Sequence, residues 1–568
     1  MNAARAGLCA LLGAWLALAQ AAVPTLTELR TDWHPSQAWL LDRHGEVLQA
    51  TRVDFNGLRL PWVPLDEVSP AFVDALLAIE DRRFLAHGGV DWRALLAAAW
   101  QNATGGARRG ASTLSMQLAT LLGETGAPRG GRRSLARKWG QMRAAWALEA
   151  RLDKREILEA YVNHVGFRGE LRGIAAASQG LFGKAPRGLD RAESVLLATL
   201  IATPNRAPAA IAARACRLAR AHALAVECGA LETLAARALG APPRLPREAD
   251  DATHLARRLL HTPGERITTT LDAGLQRRVR AVLAEQLRRL DGHNVRDAAA
   301  VVLDNASGEV LAWVGAAGAT STAAQVDGVL APRQAGSTLK PFLYGLAFER
   351  RLLTPASLLE DTPINLETST GLYIPQNYDR DFKGVVSART ALASSLNVPA
   401  VRTLVLTGVE RLRARLFDAG YRGITRDGEY YGYSLALGSA EVTLLEQAEA
   451  YRALANGGRF TASRVLPTSH AVEERQVLTP GAAFLVGQVL ADGAARALTF
   501  GLDSPLGLPF WSAVKTGTSK DMRDNWCVGY STRYTVAVWV GNFEGDAMQD
   551  VSGVSGAAPA WAAIMHAL

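Results

Sequence analysis

One stretch, Ala241-Pro242-Pro243 through Pro263-Gly264, is rich in proline and charge, and the hydrophobic pattern differs on its two sides. Before it, Ser69-Pro70 marks a helix start, and Phe72, Val73, Leu76 and Ile79 recur at helical spacing. Helical patterns continue to about residue 235, interrupted by Gly-rich segments at 104–110 and 123–131. Residues 26–68 read as short strands and turns around Trp33, Trp39 and Trp62. After the stretch, Ile267 to Leu271 reads as a strand, followed by a helix with Leu275, Val279 and Val282. Two apolar runs, 300–303 and 310–314, then flank Asp304-Asn305-Ala306-Ser307-Gly308 as a β-hairpin. Strand patterns return at 526–530 and 534–540, with helical segments between. The first part is therefore expected to be helical, and the second an α/β domain around a central sheet. At 568 residues the chain is too long for one core, and it contains no internal repeat.

Charge follows the same division. Residues 1–270 carry a net +9 and residues 271–568 a net −1, so the first half is suited to an anionic partner. A mean hydropathy of +0.04 excludes a multi-span membrane protein. Ala6 to Val23 carries no charge. As a helix its eighteen residues would span about 27 Å, so it reads as a cleaved export signal or a single anchor. Both readings export the remainder of the chain. Cys216 and Cys228 could pair in an oxidising compartment, and Cys527 has no evident partner. No Cys/His cluster has the spacing of a metal site.

Three short motifs stand in order in the second half: Ser337-Thr338-Leu339-Lys340, Ser395-Leu396-Asn397 and Lys515-Thr516-Gly517-Thr518. A serine needs a base beside it to act as a nucleophile. Residues three apart on a helix share a face, which would point Ser337 and Lys340 together. A lysine desolvated near another cation loses its proton readily, and Lys515 could supply that charge. Pro341 is tolerated in a first helical turn, so a helix should start near Ser337 and offer its N–H groups as an oxyanion site.

The ordered motifs S-x-x-K, S-x-N and K-T-G resemble the penicillin-binding transpeptidase domain. So do Gln334–Ser337, Ile374–Asp379 and Leu435–Thr443. The resemblance implies a β-lactamase-like α/β fold with a central antiparallel sheet. It implies that Ser337 is acylated by a stem peptide or a β-lactam, that Lys340 is the base, and that Ser395 relays a proton. Asn397 would orient Lys340 and the substrate amide. Lys515, Thr516, Gly517 and Thr518 would bind the substrate carboxylate, with the N–H groups of Ser337 and Thr518 as oxyanion hole.

In the first half, Glu80-Asp81-Arg82-Arg83-Phe84 precedes His87-Gly88-Gly89-Val90-Asp91. Gly110-Ala111-Ser112-Thr113-Leu114-Ser115-Met116-Gln117, Arg137-Lys138 and Lys154–Asn163 come after. The series resembles the family-51 peptidoglycan glycosyltransferase, a mainly α-helical, lysozyme-like domain, over about residues 45–225. By that resemblance Glu80 is the general base for an acceptor hydroxyl. Asp81, Arg82, Arg83, Ser112, Thr113, Gln117, Arg137, Lys138 and Gln141 bind substrate, and the cations, Arg143 included, stabilise a lipid pyrophosphate leaving group. Two departures stand out. Gln141 occupies the position of the family's second acidic residue, and Thr120-Leu121 replaces its Lys-Asn.

Together the halves resemble the bifunctional, class A penicillin-binding proteins. The expected organisation is a signal peptide or anchor at 1–25, a glycosyltransferase domain at 26–235, a linker at 236–296 and a transpeptidase domain at 297–568. The departures resemble a subclass that usually carries a further C-terminal domain, for which no room is expected after Leu568. The implied function is polymerisation of lipid II and cross-linking of stem peptides at the periplasmic face of the inner membrane. Lipid II, nascent peptidoglycan, β-lactams, the membrane and other cell-wall synthesis proteins are the implied partners, and nucleic acid is not. No cofactor is required by the sequence, although a divalent metal could assist glycosyl transfer. The competing reading, kept open by Gln141, is a β-lactam-binding sensor or scaffold with an inactive glycosyltransferase half.

Overall fold

The computed structural model describes residues 23–104, 112–123, 135–243, 245, 249–368, 371–467 and 474–568. The apolar segment of the signal or anchor, residues 6–22, lies outside them, as does most of the two Gly-rich segments. The described residues form two compact units. The first takes those up to Ala38, from 51 to 248 and from 261 to 265; the second takes 39–50, 249–260 and 266–568.

The first unit is helical. It opens on a short helix that periodicity missed, α1 (Leu26–Thr31), started by a reciprocal capping box between Thr25 and Glu28. Then come α2 (Pro70–Glu80), α3 (Trp92–Ala103), α4 (Leu114–Gly123), α5 (Leu135–Glu149) and α6 (Lys154–His164). Further on are α7 (Arg191–Ala202), α8 (Pro208–Ala221) and α9 (Cys228–Leu239). Pro70 opens α2 as expected, but the Ser69 hydroxyl donates to Leu189 O at 2.7 Å instead of capping the helix. Phe72 and Leu76 of α2, Leu118 of α4, Tyr161 of α6 and Leu196 of α7 share one buried core. A Cys216–Cys228 disulfide ties α8 to α9.

The second unit begins inside the N-terminal region. Strands β1 (Gln37–Leu41) and β2 (Val47–Arg52) form a hairpin, and β1 pairs in parallel with β3 (Arg266–Thr268), Trp39 opposite Arg266. Leu40 and Leu48 are fully buried there. A hairpin by itself is marginal in water, and a third strand completes a sheet able to bury one face. Most described residues of the stretch expected as a linker, 236–296, accordingly lie in regular elements. It contains the end of α9, helix α10 (Thr253–Leu259), β3 and α11 (Ala273–Arg289).

The main sheet is antiparallel, with five strands: β4 (Asp297–Asp304), β5 (Val310–Val314), β6 (Ala513–Thr518), β7 (Asp524–Tyr530) and β8 (Tyr534–Gly541), in the order β6-β7-β8-β4-β5. The 304–308 turn joins β4 to β5, as the Asn/Ser/Gly run predicts. Val302, Val514, Val538 and Cys527 pack with α11 and with Trp561 and Ile564 of the last helix (Ala558–Ala567). Strand β6 carries the Lys515–Thr518 motif, so the sheet edge positions it.

Candidate active sites

Ser337 lies in a 3₁₀ turn, Gly336–Leu339, directly before the helix Lys340–Glu349. The helix therefore begins one turn later than the sequence suggests. Pro341 has no N–H to give the Ser337 carbonyl, which takes the Lys340 N–H instead, three residues on. Gly336 has a φ of +58°, and a Cβ there would come within 2.7 Å of Thr518 O. A Cβ on Gly438 would overlap Gly336 O. Glycines at these two points let the Ser337 turn settle against β6 on one side and the 435–438 turn on the other.

Lys340 is wholly buried. Its Nζ donates to Ser395 O at 2.7 Å, Leu396 O at 3.2 Å and Asn397 Oδ1 at 2.7 Å, and lies 3.4 Å from Ser395 Oγ. Lys515 Nζ donates to the same Ser395 Oγ at 2.7 Å and to Thr516 O at 2.9 Å. Ser395 joins the two lysines because its backbone is left-handed, with φ +61°. For a non-glycine residue that conformation costs on the order of 1–3 kcal/mol. Burial first, then the Lys515 charge, holds Lys340 well below the ordinary lysine range. Burial also brings Lys515 down to about 7.

Above the lysines is a cleft of about 690 Å³, lined among others by Ser337, Ser395, Asn397, Thr516, Thr518 and Tyr378. Lys515 is not part of that lining. Expected as a carboxylate ligand, it lies beneath the floor and reaches the cleft through Ser395 Oγ. Thr516 and Thr518 are the members of its motif placed to meet a ligand.

In the first unit Glu80 ends α2, and its Oε2 accepts from Gln117 Nε2 at 3.1 Å. Gln117 Oε1 in turn accepts from the buried Tyr161 hydroxyl at 2.8 Å. Burial raises the Glu80 carboxyl above the usual range, while the Gln117 hydrogen bond and the Arg214 charge oppose the shift. Such a carboxylate is suited to general-base work near neutral pH. Arg214, on α8, belongs to none of the sequence motifs. Its Nε is buried and has no hydrogen-bond partner among the described residues.

Several residues expected to bind substrate are committed elsewhere. Asp81 is buried; its carboxylate pairs with His87 Nε2 at 3.0 Å and accepts the Leu114 N–H at 3.0 Å, holding the start of α4. Thr113 donates to Gly89 O at 2.6 Å and accepts Met116 N–H at 3.2 Å, as a helix cap does. Arg83 pairs with Asp91, its Nε 2.9 Å from Oδ2. Gln141 Nε2 donates to Thr120 Oγ1 at 2.9 Å, so the two departures from the family pattern bond to each other. Arg82 is exposed, and Ser112 and Lys138 are partly so. The Arg137 side chain lies outside the described residues. The donors do not suit a divalent cation: Glu80 is held by Gln117, Asp81 is turned inward and residue 141 is neutral. Among the described residues no group of three or more His, Cys, Asp or Glu converges as a ligand set.

Two buried lysines sharing one serine hydroxyl at the foot of a cleft, and a half-buried glutamate in a helical unit, are the features of an enzyme with two sites. Comparison with known proteins agrees. Residues 44–225 match the transglycosylase family, and residues 298–566 the penicillin-binding protein transpeptidase domain. Penicillin-binding protein 1C of Escherichia coli is 35% identical over 96% of this chain and 71% of its own length. Penicillin-binding protein 2D of Bacillus subtilis is 29% identical over 98% and 84%. The crystal structure of penicillin-binding protein 1A from Haemophilus influenzae shares the fold, with a TM-score of 0.62 at 16% identity over 94% of this chain and 92% of that one. The chain belongs to the class A penicillin-binding proteins, bifunctional peptidoglycan synthases that join a glycosyltransferase to a serine transpeptidase.

Proposed function

We propose that Ser337 is the acylated nucleophile, with Lys340 as its base and Ser395, held by Lys515, as the proton relay. The observation that carries this is the Ser395 hydroxyl, 3.4 Å from one buried lysine and 2.7 Å from the other. In acylation a bond forms between Ser337 Oγ and the penultimate D-Ala carbonyl, and the peptide bond to the terminal D-Ala breaks. The Ser337 proton passes by way of Lys340 and Ser395 to the leaving amine. The amine of a second stem peptide then takes the acyl group. Thr516 and Thr518 receive the substrate carboxylate, and the N–H groups of Ser337 and Thr518 stabilise the oxyanion.

In the first unit Glu80 deprotonates the acceptor sugar hydroxyl, oriented by Gln117. Arg82 and Lys138, both reached by solvent, supply positive charge for the departing lipid pyrophosphate. No metal takes part in this scheme. The unit works at the outer face of the inner membrane. In support, Leu85, Trp92, Leu96, Trp100 and Trp139 are all exposed large apolar side chains. Trp92, Leu96 and Trp100 recur every four residues on α3, and the rings of Trp92 and Trp139 both pack near that of Trp146, at 6.2 and 5.8 Å. Tryptophan favours the membrane–water interface. The uncharged segment Ala6 to Val23 belongs to this reading as the anchor; among the described residues no helix is long and apolar enough to cross a membrane. Other cell-wall synthesis proteins are proposed as partners at that surface.

The test of the nucleophile is the mass of the full chain after benzylpenicillin treatment. One penicilloyl adduct on the Ser337 peptide, absent from Ser337→Ala, is expected. An adduct that persists in Ser337→Ala would remove the assignment.

A further inference from the structure

The cleft rests on a buried carboxylate that belongs to none of the three motifs. Asp361, at the end of the strand Leu358–Asp361, is wholly buried. Its two oxygens accept from Asn377 Nδ2 at 2.9 and 2.8 Å, and Oδ2 accepts the Lys383 N–H at 2.8 Å. A carboxylate accepts and does not donate, so Asn377 must turn its NH₂ toward Asp361. Asn377 Nδ2 also donates to Asp381 O at 2.9 Å. Its amide orientation is therefore fixed by two acceptors on one side.

That orientation leaves the Asn377 oxygen facing the motif. It accepts the Asn397 N–H at 2.9 Å and approaches the Val398 N–H at 3.4 Å. These open the helix Asn397–Thr407, and the first N–H groups of a helix have no partner inside it. Next in line, Asn397 Nδ2 donates to Gln376 O at 2.9 Å, and Asn397 Oδ1 accepts from Lys340. Consecutive residues, Gln376 and Asn377, thus hold both the side chain and the backbone of Asn397. A continuous line of hydrogen bonds runs from Asp361 through Asn377 and Asn397 to Lys340, then through Ser395 to Lys515.

We propose that Asp361 is a positioning residue for acyl transfer: by fixing the Asn377 amide it sets the place of Asn397, and through it the place of Lys340, the base assigned to Ser337. The inference rests on the reading of Ser337 and Lys340 given above. Were Asp361 reversed to a donor or removed, the Asn377 amide could rotate. Its NH₂ would then face the Asn397 N–H, and Asn397 would shift off Lys340. Nothing in the spacing of the motifs signals this role, because Asp361 lies on a separate strand from all three.

The test is the rate of acylation of the full chain by benzylpenicillin from pH 5.5 to 10, for wild type, Asp361→Asn and Asn377→Ser. Misplacing a reacting group by about 1 Å costs up to about a hundredfold in rate. Both variants are expected to acylate about ten- to a hundredfold more slowly. In both, Lys340 loses an acceptor that favours its charged form, and in Asp361→Asn a buried negative charge is lost as well. The acid limb of the profile should therefore move to lower pH. The charged and titratable groups around this line are Lys515 beside Lys340, Tyr344 and Lys383 near Asp361, Asp379 and Asp381 on Lys383, and Arg402 with Glu360. Both variants leave these in place. A role confined to folding lowers the active fraction at every pH and leaves the limb where it was. That outcome, or wild-type acylation in either variant, would overturn the proposal. Asn377→Ser keeps the buried carboxylate on the Lys383 N–H, so it remains informative if Asp361→Asn does not fold. Wild-type protein that fails to acylate at all would instead remove the nucleophile assignment.

Discussion

Around Ser337, the side chains of Lys340, Ser395, Asn397 and Lys515 form one network spanning 2.7 to 3.4 Å. Glu80, by contrast, holds a single hydrogen bond among the described residues, at 3.1 Å from Gln117. The difference has a chemical origin. Acyl transfer moves one proton among groups that must already be in place, and a polar network in a low-dielectric site holds them there. Glycosyl transfer brings a large anionic substrate to one base, and the substrate supplies much of the remaining structure. The two sites also raise reactivity in opposite electrostatic ways. Burial disfavours the charged form of two lysines in the second unit, and it hinders the loss of a proton from one carboxyl in the first.

The largest expected effect short of deleting a nucleophile or base is at the shared hydroxyl. Ser395→Gly removes Oγ, while glycine is at ease at φ +61°. Acylation by benzylpenicillin should fall about a hundredfold, the scale of a lost general acid–base step, with no loss of thermal stability. An unchanged rate would break the network account.

Lys515 offers a second, smaller test. Its folded-state pKa is depressed to about 7, against about 10.4 when unfolded. Between those values the unfolded chain binds more protons, so stability rises as pH rises through the window. Lys340, depressed as well, acts in the same direction. The unfolding temperature of the transpeptidase unit should therefore climb from pH 7 to pH 10, and less steeply in Lys515→Met. Equal slopes would show that the buried ammonium is not what titrates.

Much of this was legible in the sequence, for a local reason. Ser337 and Lys340, or Ser395 and Asn397, are close in the chain, so their spacing carries their geometry. The helical first half and the 300–314 hairpin were legible from periodicity in the same way. What the sequence concealed depends on distant pairing. Strand β1 meets β3 across more than two hundred residues, which moved a piece of the N-terminal region into the second unit and turned an expected linker into folded structure. Thr113 and Asp81 illustrate a different limit. A threonine that caps a helix and one that binds a sugar phosphate look alike in a motif, and only the partners, Gly89 O and Met116 N–H, distinguish them. Arg214 and Asp361 stand outside every motif and became visible only through what they face.

The smallest effect expected is at Arg214. Its charge lowers the Glu80 carboxyl, so Arg214→Ala should raise it further. A general base works deprotonated, so the acid limb of glycan polymerisation should move to higher pH, with penicillin acylation unchanged. An unmoved limb would place Arg214 outside the field of Glu80.

The most direct test of two independent sites is lipid II polymerisation by the purified chain with benzylpenicillin present to silence Ser337, alongside Glu80→Gln. Glycan strands from the wild type, lost in Glu80→Gln while penicillin labelling of Ser337 is retained, are the predicted result. Wild-type protein that labels with penicillin yet makes no strands would contradict the account and leave the transpeptidase as the chain's one activity.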